Sequence, residues 1–93
     1  MSESDLKTAN NAFSEGDLDV SLKQTNRILT DNPGNIEALM LQARVFYKMQ
    51  RWGDALNNVN KVLEIETDNK LALNYKEMIT NIISFWNKDY YNP

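Results

Sequence analysis

Apolar residues in this chain recur every three or four positions, in runs separated by polar, turn-forming phrases. Leu6, Ala9 and Phe13 form the first stripe; Leu18, Leu22, Thr25, Ile28 and Leu29 form the second. The third is Ile36, Leu39, Met40, Ala43, Phe46 and Tyr47, and the fourth is Trp52, Ala55, Leu56, Val59, Val62 and Leu63. A fifth, Leu71, Tyr75, Met78, Ile79, Ile82 and Trp86 with Ile83 beside it, keeps the same step. Steps of three and four put side chains on one face of an α-helix, and no run alternates as a half-buried strand would. The pattern predicts an all-α fold with helices at roughly 3–15, 18–30, 36–49, 52–65 and 70–86.

The breaks between the runs have turn chemistry. Gly16 can take the left-handed conformation that ends a helix, and Asp17 stands where it can cap the next one. Asn32-Pro33-Gly34-Asn35 separates the second and third helices, and Thr67-Asp68-Asn69 separates the fourth and fifth. Asn35 and Asn69 are the expected N-caps. The turn Met49-Gln50-Arg51 lacks a glycine, so either Gln50 accepts backbone strain or the turn opens.

Set against itself at a shift of 34, the chain repeats. Ala9 meets Ala43, Leu22 meets Leu56, Asn26 meets Asn60, Leu29 meets Leu63 and Asn35 meets Asn69. Phe13 with Tyr47, Leu18 with Trp52, Ile28 with Val62 and Arg27 with Lys61 agree in size and polarity. A period of this length means stacked helical hairpins, each burying its apolar face on its neighbour.

The period and the residues together resemble the tetratricopeptide repeat, whose pattern is Trp-x2-Leu-Gly-x2-Tyr, then Ala-x3-Phe, then Pro. Residues 36–69 are similar to it through Leu39-x2-Gln42-Ala43-x2-Phe46 and Ala55-x3-Val59, with Thr67 where proline is usual. Residues 2–35 are a weaker copy: Asp5-x2-Thr8-Ala9-x2-Ala12, then Ser21-x3-Thr25, with Pro33 in place. Ala9, Ser21, Ala43 and Ala55 are the small residues expected where two helices approach closely. Residues 70–86 start as a third repeat, but Glu77 stands where a small residue belongs, so this segment is expected to be a capping helix. The remainder, 87–93, is an aromatic tail with the phrase Asn87-Lys88-Asp89-Tyr90-Tyr91-Asn92. The whole resembles very small bacterial tetratricopeptide proteins, which implies a single short right-handed solenoid over 1–93 and a protein-interaction role.

Composition narrows the function. The chain has 93 residues, no cysteine and no histidine, so disulfides and the usual zinc, haem and iron–sulfur sites are not expected. A net charge of −3 argues against a nucleic-acid surface, which needs clustered Lys and Arg. No run approaches the roughly 20 apolar residues that span a bilayer. The acidic start, Met1-Ser2-Glu3-Ser4-Asp5, lacks a secretory apolar core, so the expected location is cytoplasmic. Asp17, Asp19, Glu64, Glu66 and Asp68 fall at helix ends or exposed positions, where capping and solubility explain them. Without a phosphate loop, serine elbow or metal spacing, neither enzymatic activity, a cofactor nor a small-molecule substrate is expected.

In tetratricopeptide stacks the first helix of each unit lines the concave face, and the resemblance carries that role onto matching positions. The first unit contributes Leu6, Lys7, Asn10 and Phe13. The second contributes Glu37, Met40, Leu41, Arg44, Tyr47 and Lys48, and the fifth helix Leu71, Asn74, Tyr75 and Met78. Of these, Asn10, Phe13, Met40, Leu41, Arg44, Tyr47, Lys48, Tyr75 and Met78 are the expected groove for an unidentified protein or peptide. Some family members grip the C-terminal carboxylate of heat-shock chaperones through Lys and Asn at fixed positions. Asn10 fits one of them, but Leu6, Leu41, Leu71 and Tyr75 occupy the others, so that clamp is absent. The alternative is self-association through Phe85, Trp86, Tyr90 and Tyr91. The expectation is instead a monomer whose aromatics fold back over the end of the stack.

Overall fold

The computed structural model describes residues 2–91, with side chains for residues 4–86. Within that range the chain forms five helices: α1 (Ser2–Ser14), α2 (Leu18–Asp31), α3 (Ile36–Lys48), α4 (Trp52–Ile65) and α5 (Lys70–Tyr91). Connections of three or four residues force each helix to run antiparallel to the one before it. Each helix packs on its sequence neighbours, and α1 also touches α3. The molecule measures 51 × 28 × 20 Å, longer than a ball of this chain length, as expected of a stack that grows along one axis.

The turns repeat at the same shift as the side chains. Gly16 and Gln50 are equivalent residues, and both have positive φ, 80° and 61°. Gly16 N–H donates to Phe13 O at 3.0 Å and Gln50 N–H to Tyr47 O at 3.0 Å. Asp17 N–H to Ala12 O and Arg51 N–H to Phe46 O are both 2.8 Å. These are paired closures of a helix C-terminus, and they put a left-handed residue in the same place twice. Gln50 therefore accepts the backbone strain, and the turn stays closed. Asn35 Oδ1 accepts from Ala38 N–H at 3.0 Å and Asn69 Oδ1 from Ala72 N–H at 2.9 Å, so both are N-caps as expected. Asp17 caps α2 through Val20 N–H.

The core is made where hairpins stack. Ala9, Ser21, Ala43 and Ala55 are fully buried, and Ser21 Oγ donates to the Ala9 carbonyl at 3.0 Å across the first hairpin. Small side chains there let the backbones come close enough for a side chain to bond the neighbouring main chain. Ala43 and Ala55 join Leu39, Met40, Phe46, Val59, Val62, Ala72 and Ile79 in one apolar cluster.

A buried polar chain ties α2, α3 and α4 together. Gln42 Nε2 donates to Thr25 Oγ1 at 3.1 Å and to Asn26 Oδ1 at 2.7 Å. Asn58 Nδ2 donates to Gln42 Oε1 at 2.8 Å. Among the described residues no buried side-chain polar atom lacks a partner. Such a chain fixes how α3 is rotated and slid against its neighbours, since a shift would strand several polar groups.

The fifth helix departs from expectation in two ways. It was expected to end near residue 86 and continues to Tyr91, because no glycine or proline interrupts it before Pro93. Its packing face is also rotated. Ala72 and Ile79 are buried, with Tyr75 and Ile83 packed beside them, whereas Leu71, Met78 and Trp86 stay exposed instead of covering the stack. The reason is geometric. Leu71 and Met78 lie on a side of α5 turned away from α4, which buries Ala72 and Ile79 next to them. At the C-terminal end the 22 residues of α5 overhang the 14 of α4, which leaves Trp86 uncovered.

Candidate functional site

The floor and one wall of a shallow groove come from α3, the second helix to present its face there. Met40 and Leu41 are 5% and 3% exposed, so they shape the groove from below and offer little surface themselves. Around them Asn10 of α1, Glu37 and Arg44 of α3, and Leu71 of α5 line a cavity of about 200 Å³. Three alternate helices thus meet at one place, as the shift of 34 requires of equivalent positions: Asn10 and Arg44 are repeat partners, as are Glu37 and Leu71.

Arg44 is the charged centre of this groove. Its guanidinium carbon lies 4.6 Å from the centroid of the Phe13 ring, so the side chain is stacked and half-buried. A second arginine provides an internal control. Arg51 lies over the Phe46 ring at 4.7 Å and also pairs with Asp54 at 2.8 Å. That is the only side-chain ion pair among the described residues, so Arg44 has the same stacking support but no carboxylate. A cation held by an aromatic face and left unpaired is suited to receive an acidic group from outside. Glu37 is in the same cavity and would favour an amide or hydroxyl beside that group over a second acid.

The other expected groove residues divide. Tyr47 packs edge-to-face on Trp52 at 5.2 Å and on Tyr75 at 5.4 Å, which joins α3, α4 and α5 at the edge of the core. Tyr47 and Tyr75 are therefore half-buried residues at the edge of the core, outside the cavity lining. Asn10 donates from Nδ2 to the Leu6 carbonyl in its own helix, leaving its amide oxygen free to accept. Lys48 and Met78 are exposed and lie outside the cavity. Glu37 and Leu71, which the resemblance puts on the concave face, also line the cavity.

Phe85 and Trp86 do not fold back over the stack as expected. Phe85 and Trp86 meet edge-to-face at 5.8 Å but are 60% and 61% exposed. They sit on the overhang of α5, beyond the reach of α4. Tyr90 and Tyr91 lie outside the residues whose side chains are described. No group of three or more metal-ligating side chains occurs among the described residues, and no helix is long and apolar enough to cross a membrane.

Comparison with protein-family models, with curated proteins and with solved structures gives no match. The functional reading accordingly rests on the residues themselves.

Proposed function

We propose that this chain is a tetratricopeptide-type interaction module, an adaptor that binds a short peptide or helix of another protein in the groove between α1, α3 and α5. The single observation that carries the reading is Arg44: half-buried, stacked on Phe13, without a carboxylate partner, and facing a cavity lined from three helices. The partner segment carries a carboxylate for Arg44 and an apolar side chain for the surface of Leu71. Two repeats and a cap give a shallow groove, so the affinity is modest and the segment short. We infer a cytoplasmic setting and assign the site no catalytic chemistry. The resemblance of residues 36–69 to the tetratricopeptide pattern, and the 34-residue recurrence of turns and caps, support this assignment.

The test is a crosslinking pull-down from native lysate with the wild-type chain beside Arg44→Glu and Tyr47→Ala variants. The wild type should enrich a protein that Arg44→Glu does not. Recovery of no specific protein, or of the same set by the wild type and Arg44→Glu, would sink the reading.

A further inference from the structure

Arg44 is not the only charge left alone in the groove. Glu37 stands seven residues before it on α3, two helical turns and roughly 10 Å away along the same face. The only side-chain ion pair among the described residues joins Arg51 to Asp54, so Glu37 and Arg44 pair neither with each other nor with a neighbour. The dipole of α3 accounts for an acid in its first turn. It does not supply a counter-ion, and the exposed Lys7, Lys48 and Lys70 neither pair with Glu37 nor line the cavity.

Met40 and Leu41 lie between the two charges on the helix and form the buried floor. The cavity therefore runs from an acid to a base across apolar ground, closed from α1 by Asn10 and from α5 by Leu71. Its volume is about 200 Å³. An apolar cavity of about 150 Å³ holds a benzene ring, so there is room over the floor for one apolar side chain.

This layout discriminates between partner chemistries. A wholly acidic segment satisfies Arg44 but sets a like charge against Glu37, and a wholly basic one does the reverse. A segment that carries one charge of each sign satisfies both. Resting on the assignment of this groove as a peptide-binding site, we propose that the partner segment is dipolar. It places an Asp or Glu carboxylate on Arg44 and a Lys or Arg on Glu37, with one apolar side chain between them on Met40 and Leu41. The two charges must be roughly 10 Å apart, about seven residues in a helix or about three in an extended chain. A given segment then fits in one direction only, because turning it round puts like charges together at both ends.

Selection from a random peptide library displayed on phage tests this, with wild type, Glu37→Gln and Arg44→Gln as baits and circular dichroism verifying each fold. The wild type should enrich peptides in which an acid and a base flank an apolar residue at one of those two spacings. Glu37→Gln should keep the acid and lose the base, and Arg44→Gln should lose the acid. Glu64→Gln, at an exposed acid of α4 outside the groove, should select as the wild type does. By calorimetry an enriched peptide should bind Glu37→Gln about two- to fivefold more weakly than the wild type, the range of an exposed ion pair. Peptides enriched for acids alone, or a base whose enrichment survives Glu37→Gln, overturn the dipolar partner and leave the groove standing. No enrichment by the wild type over the unselected library overturns the groove assignment itself, and the dipolar partner with it.

Discussion

Helices α3 and α5 occupy equivalent places in the 34-residue repeat, yet one is enclosed and the other is half open. Ala38 and Ala72 are both fully buried, and so are Val45 and Ile79. On the face toward the following helix the match fails. Leu39 is 2% exposed and its equivalent Leu73 is 45% exposed; Ala43 is buried and its equivalent Glu77 is not. The difference follows from neighbours: among the described residues α3 packs on both α2 and α4, while α5 packs mainly on α4. Glu77 stands on the open side of α5 where α3 has the buried Ala43.

The comparison breaks most sharply if the two faces are exchanged. Ala43→Glu would bury a carboxylate between α3 and α4, costing several kcal/mol of a total stability on the order of 5–15 kcal/mol. Urea denaturation should show it unfolded or nearly so, whereas Glu77→Ala should leave the midpoint almost unchanged. Truncating the equivalent leucines is the next largest contrast. Leu39→Ala should cost about 2–5 kcal/mol through lost burial and a residual cavity, and Leu73→Ala no more than about 0.5 kcal/mol. Equal losses would mean that α5 is covered on the face described here as open.

A smaller effect separates the polar seam of the stack from its apolar core. Asn58→Ala leaves Gln42 Oε1 without its donor and should cost about 1–3 kcal/mol. Smallest is the turn. Gln50→Gly relieves the positive φ but loosens the unfolded chain, for a net gain of up to about 1 kcal/mol. Gly16→Ala, at the equivalent turn, should instead destabilise by about 1 kcal/mol. Thermal unfolding of the two variants would show shifts of opposite sign.

Most of the fold was legible in the sequence because helices declare themselves by period and by punctuation. All five were predicted within two residues at every boundary except the last, where α5 runs on because no breaking residue precedes Pro93. The caps at Asp17, Asn35 and Asn69 were legible for the same local reason, whereas at Gln50 the sequence left strain and an opened turn as alternatives that the positive φ decides. What escaped was set by contacts that no local pattern encodes. Gln42 and Asn58 form the buried chain through residues 16 or more positions apart. The exposure of Phe85 and Trp86 depends on how far α4 reaches along α5, and that of Met78 on which side of α5 faces α4. In the groove, Arg44, Asn10, Met40 and Leu41 were expected only through the resemblance to tetratricopeptide repeats. The ring beneath Arg44 and the missing carboxylate beside it needed coordinates.

The most direct measurement uses the two stacked arginines. The affinity of the captured partner should be determined by calorimetry for the wild type, Arg44→Glu and Arg51→Glu. Arg44→Glu should weaken binding by at least about tenfold, the effect of removing a central charged anchor. Arg51→Glu should stay within about twofold, because Arg51 already has its carboxylate in Asp54 and does not line the groove. Equal losses at both arginines, or no loss at Arg44, would contradict a groove centred on the unpaired cation.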